Sequence, residues 1–196
     1  MDDQVRVVVL VEGASDQVAL ETVAERRGRD LAAEGVGVVP MGGARNIGRY
    51  LGRYGPGGLG LELAGLCDAG EEGEIRLGLE RAGLRVGPGR AGLEAAGFYV
   101  CVADLEDELI RCLGAAATEG VIAAQGELRS FRTLQRQPAQ RDRSLEQQLH
   151  RFLGAGGGRK LRYARLLAGA LDPSAVPRPF DRVLARLGTP PRPEGR

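Results

Sequence analysis

Apolar positions first gather between Val5 and Val11, a valine-rich run broken only by Arg6, which predicts a strand buried on both faces as in the middle of a parallel sheet. Beyond it Ser15 is an N-cap residue type, and Val18, Ala19, Val23 and Ala24 recur at helical spacing as far as Gly28. Val36 to Pro40 predicts a second short strand, Gly42-Gly43 a turn, Ala44 to Tyr54 a helix, and Gly55 to Gly60 a break. Leu61 to Cys67 reads as a third apolar strand ending at Asp68, followed by a helix over Ile75 to Ala82. A fourth strand, Phe98 to Ala103, ends at Asp104 and leads into a helix over Leu105 to Leu113.

Strands and helices that alternate with short connections are the signature of parallel βαβ units with right-handed crossovers. The expected fold class is therefore α/β: a Rossmann-like parallel sheet of about four strands sandwiched by helices, with a C-terminal helical extension. From Ala115 onward strand patterns disappear, and helices are expected over Ala116 to Gln125, Leu145 to Leu153, Lys160 to Leu171 and Asp181 to Leu187. The expected organisation is an α/β domain over residues 1–114, a helical extension over 115–188 packed on it, and a disordered Pro- and Arg-rich tail over 189–196.

A chain of 196 residues suffices for one domain with a full core and an appendage, and 43% hydrophobic residues is ordinary for a globular protein. No apolar run approaches the length of about 20 residues needed to cross a bilayer, so no membrane partner is expected. The N-terminus lacks the basic segment and cleavable apolar stretch of a secretory signal, which points to the cytoplasm. Cys67, Cys101 and Cys112 lack close paired spacing with one another or with the single His150, which argues against a zinc site or a disulfide framework. Cys67 and Cys101 are read as core residues of apolar strands, and His150 as a surface residue of an arginine-rich helix.

The net charge of +1 carries no overall signal for nucleic acid, but the charges are unevenly spread. Acid is concentrated at Asp68, Glu71, Glu72 and Glu74 and again at Asp104, Glu106, Asp107 and Glu108. Between Arg129 and Arg165 the chain is rich in arginine, which suits either a phosphate-facing surface or a solvated helical face.

Functional groups of an open parallel sheet collect outside the carboxyl ends of its strands. Glu12, Asp68 and Asp104 each follow a predicted strand, so the hydrophobic pattern alone brings three carboxylates to one edge. Clustered carboxylates raise one another's pKa, and a hard cation with oxygen ligands, magnesium or manganese, keeps them ionised together. Each acid also has a local reading: Glu12 as the close of a turn, Asp16 and Glu106 as first-turn helix acids, Asp68 as a turn residue, Asp104 as an N-cap. Gly42-Gly43, before Ala44, Arg45 and Asn46, offers free backbone N–H groups at a helix start, a geometry suited to phosphate. No Walker A or dinucleotide fingerprint is present, so ATP hydrolysis by this chain is not indicated. Gly156 to Gly158 reads as a linker unless the fold returns it to the acidic edge, and Lys160 beside it is the only lysine in the sequence.

The string Val9-Leu10-Val11-Glu12-Gly13-Ala14-Ser15-Asp16 resembles the opening motif of TOPRIM domains, and most closely that of the overcoming-lysogenization-defect (OLD) nucleases. In that family a second acid follows the Glu-Gly pair, matched by Asp16, and a Gly-Gly turn with a nearby Asn is matched by Gly42, Gly43 and Asn46. An Asp-x-Asp motif is matched only at Asp68, because position 70 is glycine, and Glu71 or Glu72 is left to substitute for the missing ligand. Asp104-Leu105-Glu106 resembles a further acidic pair of the family, and Lys160 the lysine that reaches its site from beyond the core. The likeness covers residues 5 to 113 well and the helical tail loosely. It implies a stand-alone TOPRIM nucleotidyl transferase or hydrolase with one or two Mg2+ or Mn2+ ions held by Glu12, Asp16, Asp68, Asp104 and Glu106. It implies cleavage of DNA in preference to RNA, with Glu12, Asp68, Glu106 and Lys160 carrying the chemistry. The other reading is a non-catalytic nucleic-acid-binding or scaffold module acting with a separate ATPase.

Overall fold

The computed structural model describes residues 5–188. The tail expected to be disordered, 189–196, lies outside the described residues.

The valine-rich segment forms strand β1 (Val7–Val11), and with β2 (Val36–Pro40), β3 (Glu62–Cys67) and β4 (Phe98–Val100) it builds a four-stranded sheet in the order β2-β1-β3-β4. All three pairings are parallel. This is the α/β sheet that the strand and helix alternation implies. β1 and β3 are central, which explains why their sequences are apolar at consecutive positions: residues alternate between two covered faces. Val8 and Leu10 face one core with Leu63, Cys67, Phe98 and Val100. Val9 and Val11 face the other with Val36, Val38, Ala64, Leu66 and Tyr99.

The first core is closed by α2 (Ile47–Tyr54), α3 (Glu72–Arg81) and α4 (Gly89–Ala95), through Ile47, Leu51, Ile75, Leu79 and Leu93. Two glycines permit this packing. A Cβ on Gly65 would meet the Phe98 ring at 2.5 Å, and one on Gly78 would clash with Ile47 Cγ2.

The second face carries α1 (Ala14–Arg26), α5 (Leu105–Leu113), α6 (Ala115–Ala124), α7 (Leu128–Gln135), α8 (Leu145–Leu153), α9 (Gly157–Ala170) and α10 (Arg178–Arg186). Leu20 and Val23 of α1 share one hydrophobic cluster with Phe131, Phe152, Tyr163 and Phe180, so the C-terminal helices complete the core over β1. The rings of Phe131, Phe152 and Tyr163 pack edge to face at 5.3 and 6.4 Å between centroids, the arrangement favoured by aromatic quadrupoles. Among the described residues no helix is long and apolar enough to cross a membrane.

Several local expectations are corrected. α1 is capped by Gly13 in place of Ser15: Asp16 accepts the Gly13 amide at 2.8 Å while Ser15 turns inward and is buried. β4 stops at Val100, so Cys101 and Ala103 lie beyond the strand, although Cys101 is buried as expected. Gly157 and Gly158 belong to the first turn of α9 and are no linker; Gly156, at φ 86°, is the turn residue before it. α4 and α7 are helices in segments where the pattern predicted none.

Candidate metal centre

The carboxyl edge of the sheet is assembled by short backbone bonds. Met41 N–H donates to Val11 O at 2.8 Å and Gly43 N–H to Glu12 O at 3.0 Å, joining the ends of β1 and β2. Ala69 N–H donates to Ala103 O at 2.9 Å, joining the loops after β3 and β4. Glu12, Asp68 and Asp104 therefore emerge from adjacent strands, and Asp16 is added by the first turn of α1.

Their charges act on one another. Burial raises the Glu12 pKa, and the negative charges of Asp16 and Glu71 raise it further, against an opposing effect of Lys160. Asp68 is pushed up to about 7, first by burial and then by Asp16, Glu12 and Asp104. Burial also lifts Asp16, against the Gly13 amide and Lys160, and lifts Glu106 against Lys160. Perturbed acids gathered in one place are a feature that functional sites share with structural ion-pair networks.

Asp104 differs. Burial disfavours its charge, but His150, the Asp107 amide and Lys160 outweigh that and hold the carboxyl below its ordinary value. It is indeed an N-cap, accepting the Asp107 amide on Oδ1 at 2.9 Å, but its other oxygen, Oδ2, lies 2.6 Å from His150 Nε2. The N-cap and site readings are thus compatible. His150, read from the sequence as a surface residue, has a side chain 43% exposed and is also a neighbour of the site, its pKa raised chiefly by the Asp104 hydrogen bond. Helical periodicity places it on α8, but nothing in its spacing indicates a partner 46 residues earlier.

Lys160 Nζ lies 3.2 Å from Glu106 Oε2, so the glycine run does return the single lysine to the acidic edge. Glu106 itself is 6% exposed. Its Oε1, like Glu12 Oε2, is buried without a hydrogen-bond partner. Two orphaned carboxylate oxygens beside an acidic cluster are costly unless something positive binds them. Asp104, Glu106 and His150 each offer a donor atom, and these atoms lie within 4.8 Å of one another. The donor set fits a divalent cation, mostly hard carboxylate oxygen with one imidazole.

Gly70 is exposed, and a Cβ there would meet nothing within 4 Å, so no local packing demands a glycine. Of the two residues left to stand in for a second aspartate, Glu71 is the one whose charge reaches Glu12. Glu72 is engaged by Arg90 at 3.0 Å. In the glycine turn, Gly42 and Gly43 adopt φ of 71° and 114°, which favours glycine. Asn46 spends its amide on the turn, donating to Met41 O at 3.0 Å and Gly42 O at 3.1 Å.

Residues 5–69 match the family model described as overcoming lysogenization defect protein-like, TOPRIM domain. Over this third of the chain the sequence is similar to the OLD-like TOPRIM domain. The segment contains Glu12, Asp16 and Asp68 and ends just before Gly70. The TOPRIM fold, with its C-terminal helices, is shared with solved structures across nearly the whole chain. The C-terminal region of the Burkholderia pseudomallei OLD protein superposes with a TM-score of 0.68 at 20% identity, covering 93% of this chain and 96% of that one. The C-terminal region of the Xanthomonas campestris pv. campestris OLD protein gives a TM-score of 0.70 at 24% identity, covering 95% and 96%. No curated protein matches the sequence.

Proposed function

We propose that the chain is a metal-dependent nuclease module acting on DNA. What supports this reading is that the charges of Glu12, Asp16, Asp68, Asp104 and Glu106 act on one another and feel Lys160, and that Glu12 and Glu106 each have one buried carboxylate oxygen without a partner. Glu12, Asp16, Asp68, Asp104 and Glu106 hold one or two Mg2+ or Mn2+ ions. A cation so held supplies activation of water and stabilisation of charge at the leaving oxygen.

The chain's own residues do the rest. Glu12, at the end of a central strand, presents its carboxylate from a backbone fixed by β1 and by the Gly43 amide. Lys160 favours the charged form of Glu106 against its burial and offers positive charge where a phosphate gains negative charge. Gly42 and Gly43 leave the backbone open for a phosphate approaching α2, and Asn46 keeps that turn in shape. Exposed Arg129, Arg136, Arg141, Arg143, Arg151 and Arg165 have no side-chain partner among the described residues and line the helical extension as contacts for a DNA backbone. In this division residues 1–114 carry most of the site, and the extension over 115–188 contributes Lys160 and the basic surface.

Purified chain is incubated with supercoiled plasmid and Mg2+ or Mn2+. Nicking or linearisation that disappears with chelator and in Glu12→Gln is the expected result; absence of cleavage, or its survival in Glu12→Gln, overturns the reading. Gly70, in place of a second aspartate, favours one alternative: a non-catalytic module that holds nucleic acid or a separate ATPase. Calorimetric titration separates the two, since that module binds DNA in a salt-sensitive way but shows no tight Mn2+ binding.

A further inference from the structure

We propose that His150 is a nitrogen ligand in this site, so that Asp104, Glu106 and His150 form a mixed carboxylate and imidazole seat for a manganese-type cation. The inference rests on the reading that the edge holds a divalent ion, and it adds which atoms hold it and which ion is preferred.

The geometry comes from three elements. Asp104 is fixed at the start of α5 by the Asp107 amide on Oδ1, which leaves Oδ2 directed to His150 Nε2 at 2.6 Å. Glu106 lies in the first turn of α5, with Oε2 on Lys160 and Oε1 buried without a partner. His150 is brought in by α8, whose start is locked by a reciprocal cap between Ser144 and Gln147. One donor atom from each lies within 4.8 Å of the others. A divalent ion with bonds of about 2.1 Å spaces its donors about 3 to 4 Å apart, so the triad has to close by less than about 1 Å at its widest. The Asp104 and His150 atoms have to open by a few tenths of an ångström to admit the ion, which removes the proton between them.

Access is provided on the same side. A surface cavity lined by Asp104, Asp107, Arg143, Glu146, Gln147 and His150 opens onto the imidazole. Position 70 is glycine and supplies no carboxylate to this edge. Magnesium keeps oxygen ligands and water, whereas imidazole suits transition ions, so a nitrogen donor moves preference from Mg2+ toward Mn2+.

His150 is the only histidine in the chain, which makes the test unambiguous in protein without an affinity tag. Pulsed electron paramagnetic resonance on the whole chain loaded with Mn2+ alone detects nitrogen bound to the metal. We expect 14N modulation that changes when histidine is labelled with 15N and vanishes in His150→Gln. His150→Gln also weakens Mn2+ binding by about tenfold or more while Mg2+ binding changes little, the range over which losing a metal-site partner acts. If Mn2+ binds and is lost in Glu12→Gln, yet no nitrogen modulation appears, His150 only hydrogen-bonds Asp104: this inference fails and the cation site stands. If the unaltered chain binds no Mn2+, both fail together.

Discussion

Lys160 Nζ and Glu106 Oε2 sit 3.2 Å apart, the glutamate 8% and the lysine 39% exposed at the side chain, so a buried anion depends on a partner that reaches it from solvent. Lys160→Met strips that partner from Glu106 and destabilises the metal-free chain by about 1–3 kcal/mol, the cost of an unsatisfied buried polar group. Adding Glu106→Gln to Lys160→Met recovers part of the loss, because the uncompensated charge is gone. Urea unfolding of the two single variants and the double variant measures the coupling; strictly additive effects contradict it.

The Asp68 carboxyl, pushed up to about 7 from an ordinary 3.8 chiefly by burial, carries a proton in the folded chain over a pH range where the unfolded chain has released it. The folded state binds more protons there, so stability falls as pH rises between those values and levels off above about 7. Asp68→Asn lacks this penalty. Its stability relative to the unaltered metal-free chain therefore grows from pH 4 to pH 7 and stays constant beyond, as urea midpoints at several pH values would register. Mn2+ reverses the order by stabilising only the chain that retains Asp68.

The strands were legible because burial on both faces leaves long β-branched runs, as at Val7–Val11, and because acids at strand ends stand out against them. Glu12, Asp68 and Asp104 were readable as neighbours for that reason. α4 escaped because Gly89 and Gly92 within it and Gly87 just before it are poor helix formers, and Gly92 is held there by its close approach to Gly87. α7 buries only Phe131, and its apolar positions 128, 131 and 134 were too sparse to register as a face. His150 was missed for a different reason: its importance comes from α8 packing on α5, a tertiary relationship with no local pattern.

Gly65 tests the packing beneath the site. Gly65→Ala places a methyl 2.5 Å from the Phe98 ring and 2.9 Å from Leu10 O, a clash between strands that has no flexible side-chain end to yield. The expected loss is about 1–3 kcal/mol, as for overpacked cores. A thermal midpoint unchanged from that of the unaltered chain contradicts it.

Exposed arginines give the DNA reading its own check. Replacing Arg136, Arg141 and Arg151 with Gln leaves the fold intact, since each is solvent-exposed with no side-chain partner among the described residues. Every phosphate deprived of its arginine reduces the slope of log affinity against log salt by about 0.9, so the triple variant flattens it by up to roughly 2.7. Fluorescence anisotropy with a labelled duplex at several salt concentrations reads this directly; an unchanged slope removes these residues from the interface.

The claim on which the functional account turns is that side chains from three strand ends share a cation. Anomalous diffraction at the manganese edge, from crystals of the chain soaked in Mn2+, tests it most directly. The account predicts a peak enclosed by Glu12, Asp68 and the Asp104 and Glu106 pair. A map with no peak at that edge, or with manganese only on acids elsewhere on the surface, contradicts it.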